Sequence, residues 1–115
     1  MAYITCGSLI REDVPRLAKE NEIFLRHSIT NEGCEILAKV LQTTTTLKEL
    51  VFYDVGVIAL KNNKFIEALA KNHTIKLLYL AYGTRCGDEG AKAIAAVLKE
   101  NSSIEEIGLS YNRIG

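Results

Sequence analysis

Three stretches decide the fold: LKELVF starting at Leu47, IKLLYL starting at Ile75 and IEEIGL starting at Ile104. Each has apolar residues at its first, fourth and sixth positions. Strand side chains alternate between faces, so the fourth and sixth residues of each stretch point to one side and their neighbours to the other. The starts recur with a period of about 28 residues, and a fixed period of that order is the signature of a solenoid, whose unit buries its apolar face only by stacking on copies of itself.

The segments between these stretches repeat as regularly. Ile29 precedes Leu47, Val57 precedes Ile75 and Cys86 precedes Ile104 by the same interval, so three copies align without a gap. Within them the apolar positions run Cys34, Leu37, Ala38 and Leu41, then Phe65, Ile66 and Leu69, then Ala91, Ile94, Ala95 and Leu98. Spacing of i, i+3, i+4 and i+7 predicts one buried helix face in each unit. Asn62 alone interrupts the stripe, at the place held by Cys34 and Ala91. Each unit therefore reads as strand, turn, helix and return loop.

The unit LxxLxL, a polar turn and an amphipathic helix resembles the leucine-rich repeats of the ribonuclease-inhibitor type. The matches are SIEEIGLSYNRIG from Ser103, CGDEGAKAIAAVLKEN from Cys86 and ITNEGCEILAKVLQ from Ile29. The resemblance covers residues 23–115 and implies an α/β solenoid, with a curved parallel sheet on the concave side and helices on the convex side. Departures from the family pattern are specific. The turn asparagine is present as Asn112, but Gly83 and Val55 stand at its equivalents. The helix start Asn31-Glu32-Gly33, repeated as Asp88-Glu89-Gly90, becomes Ala59-Leu60-Lys61, so the middle helix is expected to start late or with a poorer cap.

Residues 1–22 fit the period loosely. Tyr3 to Cys6 reads as a preceding strand, while Val14, Leu17 and Ala18 begin a helical stripe with Pro15 in its first turn. The step from Val14 to Cys34 falls well short of the later ones, from Cys34 to Asn62 and from Asn62 to Ala91. This segment is therefore expected to be a shortened N-terminal cap repeat within a single domain spanning 1–115. At the other end the chain stops after Arg113-Ile114-Gly115, where earlier units go on to a helix. Further repeats, self-association or a partner is expected to complete that C-terminal edge.

Of the 115 residues 48% are hydrophobic, and 14 Lys plus Arg balance 14 Asp plus Glu. A zero net charge without a basic cluster argues against nucleic acid and anionic membrane as partners. No signal peptide and no apolar run near the ~20 residues needed to span a bilayer is present, which makes the cytoplasm the expected compartment. Cys6, Cys34 and Cys86 have no metal-ligand spacing and read as small buried hydrophobes. His27 falls in a turn and His73 in a return loop. The Thr43-Thr44-Thr45-Thr46 run reads as plain return loop, and the two glycines near Tyr82 match no phosphate-binding motif. No catalytic residue, cofactor or metal site is expected.

What carries function in this reading is the exposed side of the strands. Alternation places Glu49, Val51 and Tyr53, then Leu77, Tyr79 and Ala81, then Glu106, Gly108 and Ser110 on the concave surface. By repeat they form the ladders Glu49, Leu77, Glu106; Val51, Tyr79, Gly108; and Tyr53, Ala81, Ser110. Four of the five tyrosines, Tyr53, Tyr79, Tyr82 and Tyr111, fall in the strands or their turns. Tyrosine is enriched in binding hot spots because it offers wide contact at low entropy cost. Aromatic and β-branched residues also favour strands for packing reasons alone, so shielding of neighbouring strands is the structural alternative. The expected function is non-enzymatic protein binding through Glu49, Val51, Tyr53, Leu77, Tyr79 and Glu106. The resemblance leaves open a regulator of an enzyme, as a GTPase activator or a ribonuclease inhibitor, and a structural segment of a larger innate-immune-type sensor.

Overall fold

The computed structural model describes residues 1–53, 58–81 and 87–108. Five strands, β1 (Ala2–Thr5), β2 (Glu22–Arg26), β3 (Glu49–Tyr53), β4 (Leu77–Ala81) and β5 (Glu106–Gly108), form one parallel sheet in the order of the chain. Between them lie α1 (Val14–Leu17), α2 (Asn31–Thr43), the pair α3 (Ile58–Lys61) and α4 (Asn63–Lys71), and α5 (Gly87–Glu100). Parallel crossovers share one hand, so an order that never reverses puts every helix on the same face of the sheet. Burial agrees: Leu50, Phe52, Leu78 and Leu80 are sealed while the residues alternating with them are half-buried or exposed.

Register sets the length of each unit. Ala2 pairs with Ile23, Ile23 with Leu50, Leu50 with Leu78 and Leu78 with Ile107, so the first step is the shortest and the other three are nearly equal. The short first step holds a single turn of helix, α1, which carries Pro15 at its start and buries Leu17. Asp13 accepts hydrogen bonds from the Ile10 N–H and from Arg16, both at 3.0 Å, and pins the entry to that turn.

α2 and α4 start where side chains supply the missing acceptors. Thr30 Oγ1 accepts from the Gly33 N–H at 3.0 Å and caps α2. A β-carbon on Gly33 would sit 2.8 Å from Ile29 Cγ1, which accounts for glycine as the third residue of that start. In the next unit the helix does not start late: α3 begins at Ile58, one residue ahead of the position aligned with Asn31, and the residues before it lie outside the described ones. The helix is interrupted instead. Asn62 turns the chain out of helical geometry, accepts from the Phe65 N–H at 2.9 Å and splits the helix into α3 and α4. Its amide also donates to Asn31 Oδ1 at 3.2 Å, so the residue that breaks the apolar stripe ties two units together. Phe65, three residues on, packs its ring 5.6 Å from that of Phe52 and joins helix layer to sheet.

Two further expectations need correction. The apolar face of α5 is not Ala91, Ile94, Ala95 and Leu98: Ile94 and Val97 are buried, whereas Ala95 is exposed and Leu98 is 45% exposed. Leu98 is the repeat equivalent of Leu41 and Leu69, both sealed. On α2 the flank carrying Ala38 and Leu41 lies against α4, and no described helix covers the matching flank of α5.

The second correction concerns the threonine run. Thr44 is buried, and its hydroxyl donates to the Ala18 carbonyl at 2.8 Å while accepting from the N–H groups of Thr46 and Leu47. Asn72, its equivalent one unit on, donates to the Leu41 carbonyl at 3.0 Å and accepts from Thr74 and Ile75. Asn101 repeats the device with the carbonyls of Leu69 and Asn72 at 2.8 and 2.9 Å and the N–H groups of Ser103 and Ile104. Stacked return loops bury the last helical carbonyls, which lack partners within their own helix, and one polar side chain per unit satisfies them.

Removing that side chain strands a carbonyl and turn amides at once. Asn72→Ala is expected to lower unfolding free energy by about 2–4 kcal/mol, and Leu78→Ala by about 2–5 kcal/mol. The exposed control Gln42→Ala should stay within about 0.5 kcal/mol. Denaturant midpoints measure all three, and an unchanged midpoint for Asn72→Ala would refute the stitching role.

Candidate functional site

Because every described helix lies on one side, the other face of the sheet is open among the described residues, and the register sorts its residues into three rows. At the strand starts stand Glu22, Glu49, Leu77 and Glu106. Two residues along come Tyr3, Phe24, Val51, Tyr79 and Gly108, and beyond them Thr5, Arg26, Tyr53 and Ala81. The expected ladders of Glu49, Leu77 and Glu106, and of Val51, Tyr79 and Gly108, are thus side by side in space, and Tyr53 and Ala81 are register partners. Asp54, Tyr82, Ser110 and Tyr111 lie outside the described residues, as do Val55, Gly83, Cys86 and Asn112.

The middle and last rows, with Leu77 of the first, frame a shallow groove of about 510 Å³, lined by Tyr3, Phe24, Val51, Tyr53, Leu77 and Tyr79 together with Arg26. Four of the six expected binding residues meet there: Val51, Tyr53, Leu77 and Tyr79. Glu49 and Glu106 flank Leu77 at the strand starts rather than entering it. Tyr3 and Phe24 stack with ring centroids 5.0 Å apart and planes 17° from parallel, and Tyr3 is 72% exposed. The Arg26 guanidinium carbon lies 5.9 Å from the centre of the Tyr53 ring, within cation–π range.

Sequence reading missed the contribution of the first two strands. Glu22, Phe24 and Arg26 are alternate residues of EIFLR, aligned with Glu49, Val51 and Tyr53. The signal was legible as alternation, but the stretch keeps only the fourth and sixth apolar positions, Ile23 and Leu25, and has Glu20 where the later strands have Leu47, Ile75 and Ile104. Tyr3, the fifth tyrosine, joins Tyr53 and Tyr79 through β1.

Tyr79 has its ring directly over Gly108. A β-carbon built there would fall 2.0 Å from Tyr79 Cδ2, so only glycine admits the ring in this pose. The groove is in this sense shaped by a residue with no side chain.

Elsewhere the chemistry is quiet. Cys6 and Cys34 are buried, and burial pushes each thiol up to about 11, so both stay protonated near neutral pH. His27 adopts a left-handed backbone with φ of 68° just after β2, and His73 is exposed in its loop. Among the described residues no group of three His, Cys, Asp or Glu is placed to hold a metal ion, and no helix is long and apolar enough to cross a membrane.

Two outcomes check this geometry. Gly108→Ala should move the aromatic proton resonances of Tyr79 while the protein stays folded, and unmoved resonances would place the ring elsewhere. In native protein at neutral pH, Cys6 and Cys34 should resist iodoacetamide, as mapped by mass spectrometry of the peptides, and should label fully once guanidinium unfolds the chain; rapid native labelling would contradict their burial. Compared with the models of known protein families, the chain matches none.

Proposed function

We propose that this protein is a non-enzymatic interaction module, a short solenoid of the leucine-rich-repeat kind, that grips a protein partner on its open strand face. The observation that carries this reading is the continuous row Tyr3, Phe24, Val51 and Tyr79, apolar side chains presented where a sheet face meets solvent. Apolar patches of this kind, rimmed by polar groups, mark interaction sites. Strands laid down in chain order at nearly equal steps, and a polar side chain joining each return loop to the one before, support the solenoid part of it. Strand-borne side chains are also rigid, so little order has to be gained when a partner docks.

Affinity capture from cell lysate with the intact chain, followed by calorimetry on the recovered partner, tests the reading. Tyr53→Ala and Tyr79→Ala should each weaken binding by about 2 kcal/mol or more, roughly 30-fold, without loss of the folded circular-dichroism spectrum. Lys39→Ala on the opposite, helical face should leave affinity unchanged. Unaltered affinity in both tyrosine variants would remove the open face as the binding surface.

A further inference from the structure

Charge on the open face is segregated. Glu22 and Glu49 are register partners on adjacent strands, so their backbones run about 4.8 Å apart. Both are half-buried, and Glu106 continues the row beyond Leu77. Among the described residues none of the three has a cation within pairing distance. The amino group of Met1 pairs with Glu20 at 2.7 Å and Lys76 with Glu105 at 3.6 Å. Arg26, the cation of this face among the described residues, is held at the opposite end of the strands over Tyr53. Like charges directly opposed on neighbouring strands destabilise a sheet. The protein nevertheless places two carboxylates so, at the border of its exposed aromatic row.

We propose that the groove receives a segment of a protein partner bearing an apolar anchor with an arginine or lysine beside it, the anchor on Phe24, Val51 and Tyr79 and the cation seated on Glu22 and Glu49. This rests on the open face being a protein-binding surface. The carboxylate row and the apolar row are two residues apart along the strands, about 6.6 Å, a separation that a basic side chain spans from a position next to the anchor. A guanidinium or ammonium group between the two carboxylates removes their mutual repulsion and replaces it with charge-assisted hydrogen bonds. Charge complementarity of this sort selects partners and speeds their encounter. A purely apolar segment would gain nothing from the two carboxylates, and an acidic one would add to their repulsion.

The test uses the intact chain and a phage-displayed library of random dodecapeptides. Selection should enrich sequences with Arg or Lys beside Trp, Tyr, Phe or Leu. A synthetic peptide of the enriched type should bind Glu22→Gln/Glu49→Gln about tenfold more weakly than the parent, and should bind Glu12→Gln/Glu32→Gln, neutralised on the helical side, with unchanged affinity. The unliganded Glu22→Gln/Glu49→Gln protein should at the same time show a raised denaturation midpoint, a readout that needs no ligand. A lowered midpoint would attribute weakened binding to damage of the fold and overturn the proposal. Peptides lost on Tyr53→Ala/Tyr79→Ala but indifferent to loss of the two carboxylates would overturn the cation seat and leave the binding face standing. Peptides indifferent to both sets would remove the face as well, and selection without basic enrichment, or with none at all, would overturn the proposal.

Discussion

Buried carbonyls at the ends of the helices are the constraint on which the rest of this molecule depends. Stacking one return loop on the next excludes water from the carbonyls of Ala18, Leu41 and Leu69, and a buried carbonyl left alone costs as much as a lost hydrogen bond. Thr44, Asn72 and Asn101 each reach back one unit to satisfy that group. With the other end of the same side chain they hold the turn that launches the next strand. The hydroxyl of Thr44 does by donating and accepting what the amides do with separate atoms. Spacing between units, and hence strand register, follows from this handover.

Register in turn decides which side chains meet on the open face. Parallel sheets are usually covered on both sides, and the residues of a covered strand read as an unbroken apolar run. Here the helices occupy one side only, so the other alternation is free to carry carboxylates, tyrosines and an arginine. Rigid strands hold neighbours within each row about 4.8 Å apart across the sheet. Tyr3 on Phe24, Arg26 on Tyr53 and Tyr79 over Gly108 show how neighbouring units compose one surface that no single unit possesses.

Irregularities in the repeat have local causes. Asn62 splits a helix because an amide that can cap is worth more at a helix start than inside it, and the same amide bonds to Asn31 of the preceding unit. α1 is one turn long because the chain between the paired residues Ala2 and Ile23 is too short for strand, turn, a helix as long as α2 and a return. Leu98 is exposed where Leu41 and Leu69 are not because no described helix lies against that flank of α5.

The sequence by itself determined the alternation of strands and helices and the inward and outward residues of β3 and β4. It also marked Cys34, Leu37, Ala38 and Leu41 as a buried helix face. These are properties of local period, 2.0 for strands and 3.6 for helices, and local period is written in the chain. Only the tertiary structure decided that Thr44 belongs to the interior, because its partner Ala18 is far back in the chain and a threonine run looks like any polar loop. Only the tertiary structure brought Tyr3, Phe24 and Glu22 beside Val51 and Glu49, since lateral pairing depends on how much chain each crossover consumes and the first crossover is shorter than the second. The exposure of Ala95 and Leu98 was equally beyond the helical pattern of α5, because a stripe records which residues are apolar and not which neighbour arrives to cover them.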